Sequence, residues 1–515
     1  MVSQNKFLLI LNRISGRYRQ RIKSDIILIM CPAFDPSMPP LGLAYLSSYL
    51  KQQNFSSYVI DMNINLYHKA DKDYRKLWNY EYTDRWLNEY NLNDILDYFH
   101  KDIEEQINHI LSSNVKIIGF SVHLSNFKFA FQIAKRIKEK DPKRVIVFGG
   151  AQCFAIENGY DIPLFFYLDR KPRIDLDVVD IFVAGEGEEI TAELISKIKQ
   201  NKCFFDIPGT IVYNKGRFST FKPRLPIQQL DKISFPRFQE FSLNKYTSDT
   251  LPIITSRGCI YNCSFCNNPY LSHNYRFRTA DNVFEEIKYH YTQSGLKHFS
   301  FCDLLINGNL RQLEHLCDLI INSGYDIHWE SMAAIRKEMS QELLIKMKKA
   351  GCDCLAYGLE SGSELLLRKM RKKYTPSDAT KILKLTKQAG VKTKINIIVG
   401  LPGEGEKEFY ETVRFIEANA VFIDEISSCN ICFIMPKSEL ELEPQKYGII
   451  LGQENHWLKW RTADGTNTNP IRVQRAKELV NIISNLKIPM NVVSIFDNDY
   501  VKKLDQFDKK CSVGK

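Results

Sequence analysis

"LPIITSRGCIYNCSFCNNPYL" (251–271) decides the architecture of this chain. Leu251–Ser256 is a short apolar run of strand character, and Cys259, Cys263 and Cys266 crowd in directly behind it. Downstream, strand-like runs alternate with helical ones: "HFSFCD", "IHWESMA", "CDCLAYGLES", "KINIIVGLPG" and "EISSCNICFIM" are separated by amphipathic segments, several of which end in glycine (Gly295, Gly324, Gly351, Gly390). Six strand–helix steps predict a partial parallel (β/α)6 barrel over residues 251–450. In such barrels the chemistry collects at the carboxyl ends of the strands, where the cysteine trio falls.

Disulfides do not explain the trio. The 13 cysteines are odd in number and irregularly spaced. The apolar run Phe7–Leu11 is short and is followed at once by Arg13, Arg17, Arg19, Arg21 and Lys23, which does not read as a secretory signal. No stretch approaches the ~18 apolar residues of a membrane span. The expectation is a cytoplasmic protein whose clustered cysteines bind metal. Structural zinc wants four ligands, usually as two pairs, whereas C-x3-C-x2-C offers three thiolates, with His273 the nearest further candidate. Thiolates also suit iron–sulfur clusters, and three of them on a four-iron cluster leave one iron open. Cys352, Cys354, Cys429 and Cys432 read as core cysteines. Asp303 falls at a barrel strand end, facing either a ligand or solvent. The net charge of +10, with 44% hydrophobic and 25% charged residues, is ordinary for a globular chain and does not call for nucleic acid.

Upstream, residues 1–210 show a second alternating pattern. "DIILIM" (25–30), "SYVIDM" (57–62), "VKIIGFSV" (115–122), "RVIVFGG" (144–150) and "VDIFVAGEG" (179–187) read as strands; 39–53, 94–113 and the runs "NFKFAFQIAKRIKEK" and "EEITAELISKIKQ" read as helices. This predicts an open, doubly wound (Rossmann-like) α/β domain, with its ligand at the strand ends Cys31–Pro40, Ser121–Asn126, Gly149–Phe154 and Gly185–Glu188. The aromatic, charged stretch 67–91 reads as a surface helical insertion. "GTIVYNKGRFSTF" reads as a hairpin turning at Asn214-Lys215-Gly216, 211–250 as hairpin and linker, and 451–515 as a mostly helical C-terminal segment.

The motif C-x3-C-x-aromatic-C behind the first strand of a partial barrel resembles the radical S-adenosylmethionine (SAM) superfamily. "YGLESGSELLLRKMRKKYT" (357–375) and "NIIVGLPGEGEKEF" (396–409) resemble its branch of cobalamin-dependent members and methylthiotransferases. The resemblance implies that Cys259, Cys263 and Cys266 hold a 4Fe–4S cluster. It implies that SAM lies against Phe265, Glu360, Ser361, Gly400 and Leu401. "PPLGLAYLSSYL", "GFSV", "FGGAQCF" and "VAGEGEE" resemble the cobalamin-binding domain that precedes many such barrels, which implies corrinoid contacts from Leu41, Gly42, Ser121, Gly149, Gly150, Gly185, Glu186 and Gly187. The D-x-H-x-x-G motif that ligates cobalt is missing from the first loop, "CPAFDPSMPPLG". The implied lower face of cobalt therefore lacks a protein histidine there, with Asp35 and Met38 as neighbours.

The function so implied is a cobalamin-dependent radical SAM methyltransferase acting on an unactivated carbon through a 5′-deoxyadenosyl radical and methylcobalamin. A cyclase or rearrangement enzyme would share every motif; a methylthiotransferase would share the barrel motifs, but residues 1–210 carry no second cysteine trio. A non-catalytic cobalamin-binding sensor is the remaining alternative. The implied partners are a small-molecule or peptide substrate and an electron donor such as flavodoxin or ferredoxin. No catalytic residue can be named from the sequence.

Overall fold

The computed structural model describes residues 22–153, 176–214, 217–271, 274–452 and 456–494. The apolar run 7–11 and its basic flank, Phe154, the turn residues Lys215 and Gly216, and His273 lie outside them. The chain divides into two units: residues to 227 with 233–249, and 228–232 with 250 onward.

The first unit is built on strands β1 (Ile26–Met30), β2 (Ser57–Asp61), β3 (Ile117–Ser121), β4 (Val145–Gly149), β5 (Ile181–Val183) and β6 (Thr210–Ile211), in the order β2-β1-β3-β4-β5-β6. β1 to β5 are parallel and β6 runs antiparallel at the edge. Every residue of β1 is buried, as a continuous apolar run covered on both faces requires. The crossover helices include α1 (Leu41–Gln52) and α2 (Phe127–Lys140), and α3 (Gly187–Lys199) leads from β5 to the antiparallel edge. The chain order reverses between β1 and β3, and such switch points open a crevice at the carboxyl ends of the strands.

Two expectations change here, and a third is extended. The segment 67–91 is no surface appendage: Trp78 and Trp86 are buried in the core of this unit, and the Trp78 indole donates to Asn63 Oδ1 at 2.6 Å. Its described charged residues face solvent and mask the two tryptophans in a composition-based reading. The helix expected over 94–113 is two, Glu89–Tyr98 and His100–Leu111, joined at the buried Phe99. The expected hairpin pairs Tyr213–Asn214 with Arg217–Phe218, and its arms are joined further by the Ser219 amide on the Val212 carbonyl (2.8 Å) and the Gly209 amide on the Lys222 carbonyl (2.7 Å); its residues Thr210–Ile211 also close the main sheet as β6.

The second unit is a parallel half-barrel of β7 (Thr250–Ile253), β8 (His298–Phe301), β9 (His328–Ala333), β10 (Cys352–Glu360), β11 (Lys392–Val399), β12 (Glu425–Ile431) and β13 (Met490–Ser494), in the order β13-β12-β11-β10-β9-β8-β7. Helices α4 (Ala280–Ser294), α5 (Leu310–Ser323), α6 (Gln341–Lys349), α7 (Pro376–Gln388) and α8 (Glu406–Asn419) alternate with them. The strict alternation of burial along β9 and β11 shows one face on the helices and one lining the concave side. The six strands expected over 251–450 are all present, and a seventh joins them from outside that range. The C-terminal segment contributes helix α9 (Asn469–Asn485) and also β13, which pairs in parallel with β12. Among the described residues no helix is long and apolar enough to cross a membrane.

Candidate cofactor site

Cys259, Cys263 and Cys266 lie on one loop at the carboxyl end of β7, half-buried and with free thiols. Gly258 precedes them at φ +88°, where a Cβ would meet the Asn274 carbonyl oxygen at 2.8 Å; only glycine lets the loop turn against that backbone. The loop is tied down at both ends. Asp303 accepts from the Thr255 amide (3.0 Å), the Thr255 hydroxyl (2.8 Å) and the Ser256 hydroxyl (2.5 Å). Asp303 is therefore buried, and neither of its expected roles, facing a ligand or facing solvent, matches that position. On the far side, Ser264 donates from its amide to the Met370 carbonyl and from its hydroxyl to the Lys369 carbonyl, both at 3.2 Å. The Tyr261 and Asn268 amides point at the sulfurs of Cys259 and Cys266, at 3.4 Å each.

Burial pushes all three thiols up, Cys263 to about 11, and the Lys372 ammonium opposes the rise at each. Lys372 is the charged centre of the site. Its Nζ donates to Glu360 Oε1 and to the Gly358 carbonyl, both at 3.1 Å, and lies 5.5 Å from the centroid of the Phe265 ring. Burial alone would lower its pKa; the Glu360 carboxylate reverses that, and the pKa is raised. Glu360 sits at φ +65°, rare for a residue with a side chain, at a register shift where β10 passes from Gly358 to Glu360 against Asn396 and Ile397 of β11. Bulges of this kind re-aim side chains beside functional sites. Ser361 is fully buried, and its hydroxyl pairs with Thr412 Oγ1 (2.9 Å) and accepts from the Ser363 amide (3.0 Å). It shapes the turn that follows Glu360.

Gly400 and Leu401 close β11. Gly400 has φ +81°, and a Cβ would meet Arg472 Cγ at 2.2 Å. The Asn467 amide donates to both the Gly400 and Leu401 carbonyls at 2.9 Å, and Glu404 accepts from the Gly400 amide at 2.8 Å. Arg472, fully buried on α9, donates to Asn467, Leu458 and Trp460. The structure thus gathers the cysteine loop, Phe265, Lys372 and Glu360 around one charged centre, and fixes the Gly400–Leu401 backbone from the C-terminal segment. Sequence reasoning missed Lys372, Asn467 and Arg472. Lys372 stands in "RKMRKKYT", where neighbouring basic residues hide it; Asn467 and Arg472 stand far from any motif.

Among the described residues no three His, Cys, Asp or Glu side chains converge as one metal ion needs. Three soft thiolates on one half-buried loop suit the irons of an iron–sulfur cluster. Cys429 and Cys432 are buried, with pKa values raised to about 12 by burial, as core residues are.

In the first unit the expected corrinoid contacts divide. Gly42 and Gly185 have open space where a Cβ would stand, and the Ser121 hydroxyl makes no hydrogen bond among the described residues. Leu41 begins α1 half-buried, and Gly149 ends β4 in ordinary contact with Val183. Gly150 instead packs on the Val122 backbone, a Cβ there falling 2.8 Å from its carbonyl oxygen; Gly187 faces Leu46, and Glu186 accepts from the Ile227 amide at 2.8 Å. Gly150, Gly187 and Glu186 thus also have contacts within the fold. Open backbone and an unbonded hydroxyl at the crevice fit a large ligand there.

Residues 253–416 match the Radical SAM superfamily model. Over that stretch the half-barrel is similar to a radical SAM domain. It is 24% identical to an uncharacterized methyltransferase of Pyrococcus horikoshii, over 73% of this chain and 72% of that one. It is 23% identical to the anaerobic magnesium-protoporphyrin IX monomethyl ester cyclase of Rubrivivax gelatinosus, over 73% of this chain and 61% of that one. Among solved structures it resembles the radical SAM methyltransferase TsrM of Kitasatospora setae with cobalamin and a 4Fe–4S cluster bound (TM-score 0.63, 14% identity, 96% of this chain and 100% of that one). It also resembles the cobalamin-dependent radical SAM enzyme OxsB with aqua-cobalamin and SAM bound (TM-score 0.59, 17% identity, 95% and 62%). The fold, N-terminal unit included, is thus shared with these structures over most of the chain.

Proposed function

We propose that the protein is a cobalamin-dependent radical SAM enzyme that methylates an unactivated carbon. The observation that carries the radical half is the loop of three free thiols beside the buried Lys372–Glu360 pair at the end of β7. Cys259, Cys263 and Cys266 would hold a 4Fe–4S cluster, and Phe265, Glu360, Ser361, Gly400 and Leu401 would line the SAM side. When bound, these groups supply reductive cleavage of SAM and, with a corrinoid, a transferable methyl group. The chain's own part is placement and exclusion of water. Lys372 holds the Glu360 carboxylate in one orientation, and Asn467 keeps the Gly400–Leu401 carbonyls turned inward to protein, leaving that edge with a single backbone shape. Ser121, with the open positions at Gly42 and Gly185, supports a corrinoid at the first unit's crevice.

The reading draws further support from two relatives named as methyltransferases, the Pyrococcus horikoshii protein and TsrM. The cyclase relative supports a second reading, a cobalamin-using radical cyclase. The substrate would be a small molecule or peptide, and a flavodoxin or ferredoxin would supply the electron.

The test is anaerobic reconstitution of the full chain with iron, sulfide and hydroxocobalamin, then reduction with SAM. 5′-Deoxyadenosine, S-adenosylhomocysteine and stoichiometric corrinoid together are expected. Deoxyadenosine without bound corrinoid would remove the cobalamin half. Neither nucleoside, from protein with a complete cluster, would remove the radical half. Deoxyadenosine with corrinoid but no S-adenosylhomocysteine would favour the cyclase.

A further inference from the structure

The match to the superfamily model ends at residue 416, and helix α9 lies well beyond it. Two arginines of that helix nevertheless grip the Gly400–Leu401 turn from its two sides. On the carbonyl side stands Arg472, fully buried, its guanidinium 4.0 Å from the centroid of the Trp460 ring. It donates to the Leu458 carbonyl (2.7 Å), the Trp460 carbonyl (3.0 Å) and Asn467 Oδ1 (3.1 Å). Held at its oxygen, the fully buried Asn467 has its Nδ2 on the Gly400 and Leu401 carbonyls. Thr462 closes the same loop: its amide donates to the Asn467 carbonyl and its hydroxyl accepts from the Asn467 amide, both at 3.0 Å. On the amide side stands Arg475. It donates to the Glu404 carbonyl at 2.9 Å and lies 3.4 Å from Glu404 Oε1, the oxygen that accepts from the Gly400 amide.

This network leaves one polar group of the turn over. Gly400 spends its amide on Glu404 and its carbonyl on Asn467. The Leu401 carbonyl accepts from Asn467 and from the Glu404 amide (2.8 Å). The Leu401 amide makes no hydrogen bond among the described residues, although Leu401 is buried, and Pro402 behind it has no N–H. A buried amide without a protein partner is what a ligand acceptor would satisfy. Strands β8, β9 and β10 separate β11 from β7, so the turn stands apart from the cysteine loop. The amine and carboxylate of SAM's methionine half suit an open iron at that loop. A turn that offers one amide and apolar surface suits the adenosine half, whose base carries ring-nitrogen acceptors.

We propose that Arg472 and Arg475 of α9 are positioning residues for the adenosine half of SAM, acting through Asn467 and Glu404 to hold the Gly400–Leu401 turn in its binding shape. This rests on the radical half of the proposed function and adds the C-terminal segment to the cofactor site. No covalent bond is made or broken; the effect is preorganisation, which lowers the cost of ordering the turn when the ligand arrives.

The full chain with its reconstituted cluster is tested anaerobically with three probes: SAM, 5′-deoxyadenosine and methionine. Equilibrium dialysis gives the affinity of the first two. Methionine binding is read from the change it makes in the electron paramagnetic resonance spectrum of the reduced cluster. Arg475→Gln and Asn467→Ser are expected to raise the Kd of SAM and of 5′-deoxyadenosine by about tenfold, the scale of one lost hydrogen bond. Arg472→Lys should do the same; where it fails to hold a cluster, the other two variants carry the test. Methionine affinity and the spectrum of the reduced cluster should match wild type in each, which a general loosening of the half-barrel would not allow. An unchanged Kd for 5′-deoxyadenosine in either Arg475→Gln or Asn467→Ser would overturn the assignment, and so would an equal loss of methionine affinity. A wild-type protein that holds its cluster but binds neither SAM nor 5′-deoxyadenosine would remove the SAM reading itself.

Discussion

At the scale of single residues, the Lys372–Glu360 pair concentrates the cost and the purpose of the site. Two opposite charges stand with little solvent beside the three thiols, and Glu360 holds a left-handed backbone to get there. Such a pair gives little net stability, because desolvation offsets the attraction, but breaking it leaves a charge uncompensated. Lys372→Met is therefore expected to destabilise the second unit by roughly 3–5 kcal/mol. Adding Glu360→Gln should recover much of that loss. Denaturant unfolding of the cluster-free protein checks both; a single variant as stable as wild type would show that the pair is not buried in solution. The thiols themselves were legible in the sequence because C-x3-C-x2-C is local. Lys372 was not, because its meeting with Phe265 and Glu360 is made by the turn after β10, which no spacing rule encodes.

At the scale of elements, the ends of strands carry the polar chemistry, and some of it is structural. Asp61 ends β2 and accepts from the Tyr246 hydroxyl at 2.6 Å. Burial raises its pKa to about 6, and its hydrogen bonds only partly oppose the rise. The folded state therefore keeps a proton that the unfolded chain releases near pH 4. Stability from this group is full below that pH and falls as pH rises to about 6. Relative to Asp61→Asn, the wild-type protein should lose about 2 kcal/mol between pH 4 and pH 7. Parallel pH series of urea midpoints measure the difference; parallel curves for the two proteins would contradict it. Legibility follows the same division. Strands buried on both faces, such as β1, were plain as apolar runs. β13 was not, since "PMNVVS" is short, opens on a proline and becomes a strand by pairing with β12. The tryptophans of 67–91 failed for a related reason: their short helical turns show no periodicity to set against the charges around them.

At the scale of the whole molecule, the covalent order and the folding units do not coincide. Residues 228–232 belong with the second unit, while 233–249 return to the first. A linker of prolines and polar residues gives no sequence signal for this exchange. The structure supplies the reason. Asp231 accepts from the Thr279 amide (3.0 Å) and hydroxyl (2.8 Å), and Thr279 caps α4, the first long helix after the cysteine loop. The linker thus reaches across to hold the start of the half-barrel's helical layer. Because each unit has its own sheet and core, each should report its own loss. Asp231→Ala is expected to lower the stability of the second unit by about 1 kcal/mol, as loss of a helix-cap partner does. The first unit should be unchanged. Native-state hydrogen exchange separates the two: faster exchange confined to α4 and the strands beside it supports the linker's role. Equal acceleration in β1 and β3 would show instead that the two units unfold as one.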